Sequence, residues 1–374
     1  MSASRVRITV AGGLVLLAAA CLALRLLYPF AFFSAHSPGW LLHGLLPRVR
    51  KLTGEWSLGS MILYPLAILA IFMLERMFPA APNQKTLSTG LVHDALWVLI
   101  EAAAALVLFR WYARLLFVTY SRHFGFLTLP VPQSLPVIVR LAIGAVVLDF
   151  GRWWQHWAHH HVAWLWPFHA VHHSQKELNL FSEHRVHVVH YFTRYTLSVL
   201  PMLMLKLQEP AVTWWILLLA WHARLYHANI RSNFGPLRYL FVTPQSHRMH
   251  HSRDAAHFNC NYGATLSIWD YLFGTQFRRY DLYPETGIDD EKFPAETAQS
   301  VSSVLATPVR QLLYPFQQLW KSAGWSSKAR YRPRGRILLI TADRGESGGS
   351  SVPALSRGFE STLPDAARFA QSSE

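Results

Sequence analysis

The chain has 374 residues, of which 52% are hydrophobic, 14% aromatic and only 15% charged, whereas an ordinary soluble domain is about 25% charged; this balance excludes a simple soluble globule and implies a membrane. Two cysteines, Cys21 and Cys260, exclude a disulfide framework. The net charge of +14 would suit nucleic acid, but the basic residues flank apolar runs and crowd the tail at Lys321, Lys328, Arg330, Arg332, Arg334 and Arg336, which reads as a skirt against anionic lipid.

In chain order, residues 8–33, 59–73, 95–109 and 135–148 are nearly free of charge and reach or approach the roughly 20 residues needed to cross hydrocarbon. Four transmembrane helices are expected. Arg5 and Arg7 ahead of Ala18, Ala19, Ala20 and Cys21 resemble a cleavable or lipid-modified signal. The apolar character nevertheless continues to Phe33 with only Arg25 interrupting, so an uncleaved span is the simpler account. A fifth apolar stretch, residues 195–221, is broken by Lys206, Glu209 and Pro210 and reads as a re-entrant hairpin. With Arg5 and Arg7 inside, four crossings return the chain to the cytoplasm just after residue 150, and the hairpin returns it to the same side before His247. Arg48, Arg50 and Lys51 run against that count. The reading is an all-α polytopic membrane protein with a His-rich cytoplasmic helical cap. Residues 1–57 form its N-terminal span and loop, 58–280 its main membrane domain, and 281–374 a basic C-terminal extension, disordered after about residue 340 for want of periodic apolar residues.

Ten of the twenty histidines fall within residues 156–190, and His247, His250 and His251 follow. Residues three and four apart share one face of a helix, so His156/His160, His169/His172/His173 and His247/His250/His251 can each aim imidazoles at a common point. Eight converging nitrogens would over-fill one ion and suit two. Imidazole accepts iron, zinc and copper, so ligand type alone does not select the metal. The chain has no HExxH, no CxxC and no Glu-x-x-His pair, which sets aside the usual zinc hydrolase and carboxylate-bridged di-iron patterns. An all-histidine dinuclear centre remains, and its best-known use is to activate dioxygen.

The runs Asp149-Phe150-x-x-x-Trp154-x-His156-x-x-x-His160, Leu165-Trp166-x-Phe168-His169-x-Val171-His172-His173-Ser174 and Thr243-Pro244-x-x-His247-x-x-His250-His251-Ser252, with Asn261-Tyr262-Gly263 and Trp269-Asp270-x-x-Phe273-Gly274-Thr275, resemble the fatty acid hydroxylase and sterol desaturase superfamily of membrane oxygenases over about residues 60–280. The resemblance implies a di-iron site that uses O2 and two electrons to hydroxylate or desaturate an unactivated C–H bond of a lipid or sterol-like substrate. It implies the eight box histidines as ligands, His227 as a ninth and His187 as another recurrent position. Pro and Glu that often follow the latter are Val188 and His190 here, and the Arg common after the first histidine is Trp157.

A ligating imidazole donates its other N–H to a carboxylate or carbonyl, which makes Asp149, Asp270, Glu177 and Glu183 candidate acceptors; Asn179 and Asn261 could bond a metal-bound water or the substrate head. No cytochrome-b5-like segment is present, so electrons are expected from a separate ferredoxin or cytochrome b5 type donor with its reductase. The rival reading is a non-redox zinc- or copper-binding membrane protein, for transport or lipid hydrolysis. An ion pathway needs polar residues in several spans, and His93, Asp94 and Glu101 are the only such set.

Overall fold

Ser88 accepts a hydrogen bond from the Leu91 amide at 3.1 Å and so caps the first long helix whose packing matters for the site. The structure is a computed structural model that describes residues 57–207, 210–297 and 299–324, and helix is the dominant regular element there: only isolated bridge pairs, such as Phe241 with Leu266, accompany it. The described residues form the expected all-α class. Helix α1 is Ser57–Met77 and α2 is Thr89–Ala104, continued through a wider π-helical turn, Ala105–Phe109, into α3, Arg110–Thr119. Then come α4, Val137–His161; α5, Trp166–His173; α6, Val188–Met204; α7, Pro210–His227; α8, Pro244–His250; the short α9, Ile268–Leu272; and α10, Val301–Gly324.

Helix α4 is the spine, with α5, α6 and α7 all packed against it. The approach to α6 is close enough to require glycine: a Cβ on Gly151 would stand 2.6 Å from the Leu197 carbonyl oxygen. Leu148, Met202, Leu207 and Leu219 bury together on one side of this spine. On another, Trp97, Ala170, Val171, Phe293 and Tyr314 form a cluster joining α2, α5 and α10. The Trp97 indole N–H donates to Gln311 Oε1 at 3.0 Å inside it. Residues 281–324, read from sequence as the start of an extension, are thus built into the same core.

Among the described residues no helix is long and apolar enough to cross a membrane, so they do not confirm the expected four spans and re-entrant hairpin. The first expected span, residues 8–33, lies outside the described residues, as does the tail beyond 340. The second coincides with α1, where Glu75 and Arg76 follow at once. The third, in α2, is headed by His93 and Asp94, both fully buried. Asp94 is an anchor: its carboxylate takes Arg185 Nε at 2.6 Å, Asn179 Nδ2 at 2.6 Å and the Ser182 hydroxyl at 2.9 Å. Arg185 is also fully buried and reaches Glu296 and, at 3.3 Å, the Gly90 carbonyl. A charge pair inside an apolar run survives only with such partners, and here they come from residues far along the chain.

A candidate metal centre of nine histidines

The histidine-bearing segments are brought together by local devices the sequence spells out. Thr243 caps α8: its hydroxyl accepts the Ser246 amide at 3.0 Å while Ser246 Oγ accepts the Thr243 amide at 2.9 Å, with Pro244 in the first turn. That start directs His247 and His250 inward and delivers His251 at the helix end. Helix α5 likewise opens with Pro167 in its first turn and presents His169, His172 and His173. His156 and His160 occupy the last turns of α4, and His227 is the final residue of α7.

The result is two groups. His156, His160, His169, His173 and His250 form one, and His172, His227, His247 and His251 the other; in each, one nitrogen per ring lies within 4.8 Å of all the others. The residues at which the structure converges are thus the eight box histidines and His227. His187 does not join them. Its Nδ1 accepts the Val189 amide at 3.1 Å, capping α6, and its Nε2–H donates to the Leu312 carbonyl at 3.0 Å, so both ring nitrogens are spent on the main chain.

Main-chain carbonyls fix four of the rings. The Nδ1–H of His156 donates to Tyr262 O at 2.9 Å, that of His250 to Cys260 O at 2.7 Å, that of His172 to Arg185 O at 3.2 Å and that of His227 to Ala223 O at 2.8 Å. Each bond sets the tautomer, leaving Nε2 as a bare lone pair pointed into its group. In the first group the buried Nε2 atoms of His156, His160 and His250 meet no protein partner. In the second, the lone pairs of His172 and His227 face each other at 3.2 Å, and His247 Nε2 stands 2.8 Å from His227 and 3.1 Å from His251. Two acceptors that close repel unless a cation lies between them. Nitrogens about 2.1 Å from one ion and at right angles stand about 3.0 Å apart, so the spacing and the orphaned lone pairs fit a metal in each group.

Burial, reinforced by neighbouring histidines, holds His169, His173, His247 and His251 well below the usual imidazole range. Burial brings His250 to about 3 and His227 to about 4. Neutral rings are the form that can ligate. His184 is the opposite case. Burial disfavours its charge, but Glu101 and Glu183 outweigh that and lift it to about 9. Glu183 sits 3.1 Å from His184 Nε2 and 2.8 Å from Arg224 Nε; against its own burial, Arg224 and then His184 hold it near 2.

None of the carboxylates singled out from the sequence accepts directly from the nine. Asp270 acts one step back: it takes the amides of Tyr262 at 2.9 Å and Gly263 at 2.7 Å and the Trp153 indole at 2.9 Å, which fixes the carbonyl that holds His156. Gly263 must be glycine, since a Cβ would meet Val242 Cγ2 at 2.7 Å. Asp149 takes the Leu266 amide at 3.1 Å and the Trp269 indole at 2.9 Å. Asn261, at φ 54, donates to Ser246 O and accepts the Phe277 amide. Asn179 serves Asp94, and Glu177 accepts the Gly90 amide at 3.3 Å. The residues that sequence reasoning missed are the carbonyl acceptors Tyr262, Cys260, Arg185 and Ala223, the buried Arg185 side chain, and Arg224.

A cavity of about 280 Å³ opens beside the histidines. His156 and His169 reach it from the first group and His172, His227 and His247 from the second, with Phe109, Leu148 and Val199 in its apolar wall.

Residues 141–275 match the sequence profile of the fatty acid hydroxylase family. Among curated proteins, the chain is similar to an ornithine lipid hydroxylase of Rhizobium tropici, 35% identical over 191 residues, covering 51% of this chain and 54% of that protein. It is also similar to alkylglycerol monooxygenase of Homo sapiens, 34% identical over 34% of this chain and 28% of that one. A very-long-chain aldehyde decarbonylase of Arabidopsis thaliana is 26% identical over 47% of this chain and 30% of its own length. The chain therefore spans about half or less of these relatives. No solved structure matches. Three histidine runs, gathered by the fold into two groups, lie inside the matched region, so residues 141–275 carry the sequence pattern of the fatty acid hydroxylase family.

Proposed function

We propose that the protein is a lipid hydroxylase that binds two iron ions, one in each histidine group, and spends O2 and two electrons on an unactivated C–H bond. The balance is RH + O2 + 2 e⁻ + 2 H⁺ → ROH + H2O. One observation carries the reading: nine neutral rings from four helices, four of them locked by main-chain carbonyls, turn bare nitrogens toward two common points. When bound, the irons would supply the redox chemistry that cleaves O2 and attacks the C–H bond. The protein's own part is positional. Tyr262, Cys260, Arg185 and Ala223 hold ring orientation, the cavity excludes water and seats the lipid carbon against both groups, and His184 keeps a proton at its wall.

The relatives' names, a lipid hydroxylase and a monooxygenase among them, favour oxygen insertion over desaturation. A seat in a bilayer with the centre toward the cytoplasm belongs to this proposal; large apolar side chains far out of the core support it, including Phe126 at 80% exposed, Ile138 at 72% and Leu129 at 71%. So does a separate ferredoxin or cytochrome b5 type donor with its reductase. The test is metal analysis of the purified protein together with O2-dependent oxidation of bilayer lipids. Two irons per chain and hydroxylated lipid are expected; zinc or copper alone, with no redox activity, would refute the reading.

A further inference from the structure

The cavity wall carries unbalanced positive charge. Its two carboxylates, Glu101 and Glu183, are already engaged, the first by His184 and the second by His184 and Arg224. Arg152 and Arg194 line the same cavity and are half-buried. Among the described residues neither makes a hydrogen bond or an ion pair; Arg194 lies over the Tyr191 ring at 4.4 Å. Asp149 and Glu101 act on Arg152 and Arg194, respectively, only through space: Asp149 accepts its hydrogen bonds from Trp269 and the Leu266 amide, and Glu101 is bonded to His184. A guanidinium is always charged and offers five donors in a fork that matches carboxylate and phosphate. Facing it into a cavity whose apolar side is formed by Phe109, Leu148 and Val199 is costly unless an anion meets it.

Arg152 also stands four residues before His156 on α4, one turn away on the same face. An acid held there lies beside the metal centre with its attached chain in the apolar part of the cavity.

We propose that the cavity takes an amphiphile by its acidic headgroup, a carboxylate or phosphate received by Arg152 and Arg194, with the alkyl chain laid along Phe109, Leu148 and Val199. This rests on the reading that the cavity seats a lipid, but it is tested by binding and not by turnover.

The experiment uses the purified, iron-loaded full chain in zwitterionic nanodiscs and measures equilibrium binding of radiolabelled hexadecanoate, hexadecyl phosphate and methyl hexadecanoate. At least one acid should bind about tenfold or more tightly than the ester, the size expected of a charge-assisted contact, and the tighter acid identifies the headgroup. In Arg152→Gln/Arg194→Gln the preference should vanish while ester binding stays. Arg152→Lys/Arg194→Lys should keep most of it, and decides the matter if the glutamine variant loses the ester too. Equal affinity for acids and ester, a preference that survives in the glutamine variant, or its loss in the lysine variant with ester binding intact, overturns the proposal. So does displacement by acetate or inorganic phosphate at the probe's own concentration, which would mark a free-anion site. Tight acid binding without any oxidation would support this site while counting against the oxygenase.

Discussion

The five-histidine and four-histidine groups use one side chain and two different constructions. Helices α5 and α8 feed both, because adjacent residues on a helix diverge by about 100°: His173 and His250 turn to the first group, their neighbours His172 and His251 to the second. The first group adds His156 and His160 from α4, the latter only half-buried, and keeps three unpartnered Nε2 atoms. The second adds His227 from α7, is buried throughout, and strings its nitrogens 2.8 to 3.2 Å apart. Three of its four rings face the cavity, against two of five in the first. With fewer nitrogens and more cavity, the second group would leave a bound ion more free positions, the arrangement of a catalytic site as opposed to a closed one.

The largest effect that would sharpen this contrast comes from removing one ring on each side. His172→Ala leaves three rings in the second group and takes away one of the two neighbours of His227; iron should fall from two per chain toward one, with O2-dependent lipid oxidation abolished. His160→Ala leaves four ligands in the first group, so iron should stay near two under saturating metal with measurable residual turnover. Equal loss in both variants would break the distinction. Next in size is Asp270→Asn, which loosens the Tyr262 carbonyl that orients His156. Iron in the first group alone should bind roughly 10- to 100-fold more weakly, read by competition with a chelator; weakening of both irons alike would show that the groups share one support.

The two groups were half-legible in the sequence. The count of eight box histidines gave the idea of two ions, but each run was expected to aim at one point, whereas the runs at 169–173 and 247–251 are split between the groups. His227 came only through resemblance, because what brings the end of α7 beside α8 is tertiary packing. The carbonyls that lock the rings could not be foreseen: every residue has one, and a side-chain alphabet does not mark which will face an imidazole. His187 fits the family's spacing but caps α6 with its own nitrogen, a local competition that spacing does not reveal. The partner of Asp94, beside the apolar run at 95–109, was not legible either, because Arg185 lies ninety-one residues away. Helix α10 looked like an appendage because Trp97 and Gln311, which tie it to α2, are even farther apart in the chain.

The smallest expected effect separates the second group's surroundings from the first. His184 lies in the charged cluster with Glu183 and Arg224, and Glu183 acts electrostatically on His227, a second-group ring. His184 has its pKa raised to about 9 in the fold from 6.5, so the folded chain binds the extra proton more tightly and stability from this group is fully present below about pH 6.5. It fades as pH rises through about 9. Glu183, depressed to about 2, contributes above about pH 4.5 and is lost only toward pH 2, outside the working range. The ligand rings run the other way: neutral in the fold and protonated when unfolded below 6.5, they cost stability as pH falls. Metal-free protein should therefore melt a few degrees lower at pH 9 than at pH 7 and also lower at pH 5. His184→Gln should flatten the alkaline arm and leave the acid arm in place. An unchanged alkaline arm would show that the cluster does not hold the proton assigned to His184, and that the two metal groups do not differ in this respect.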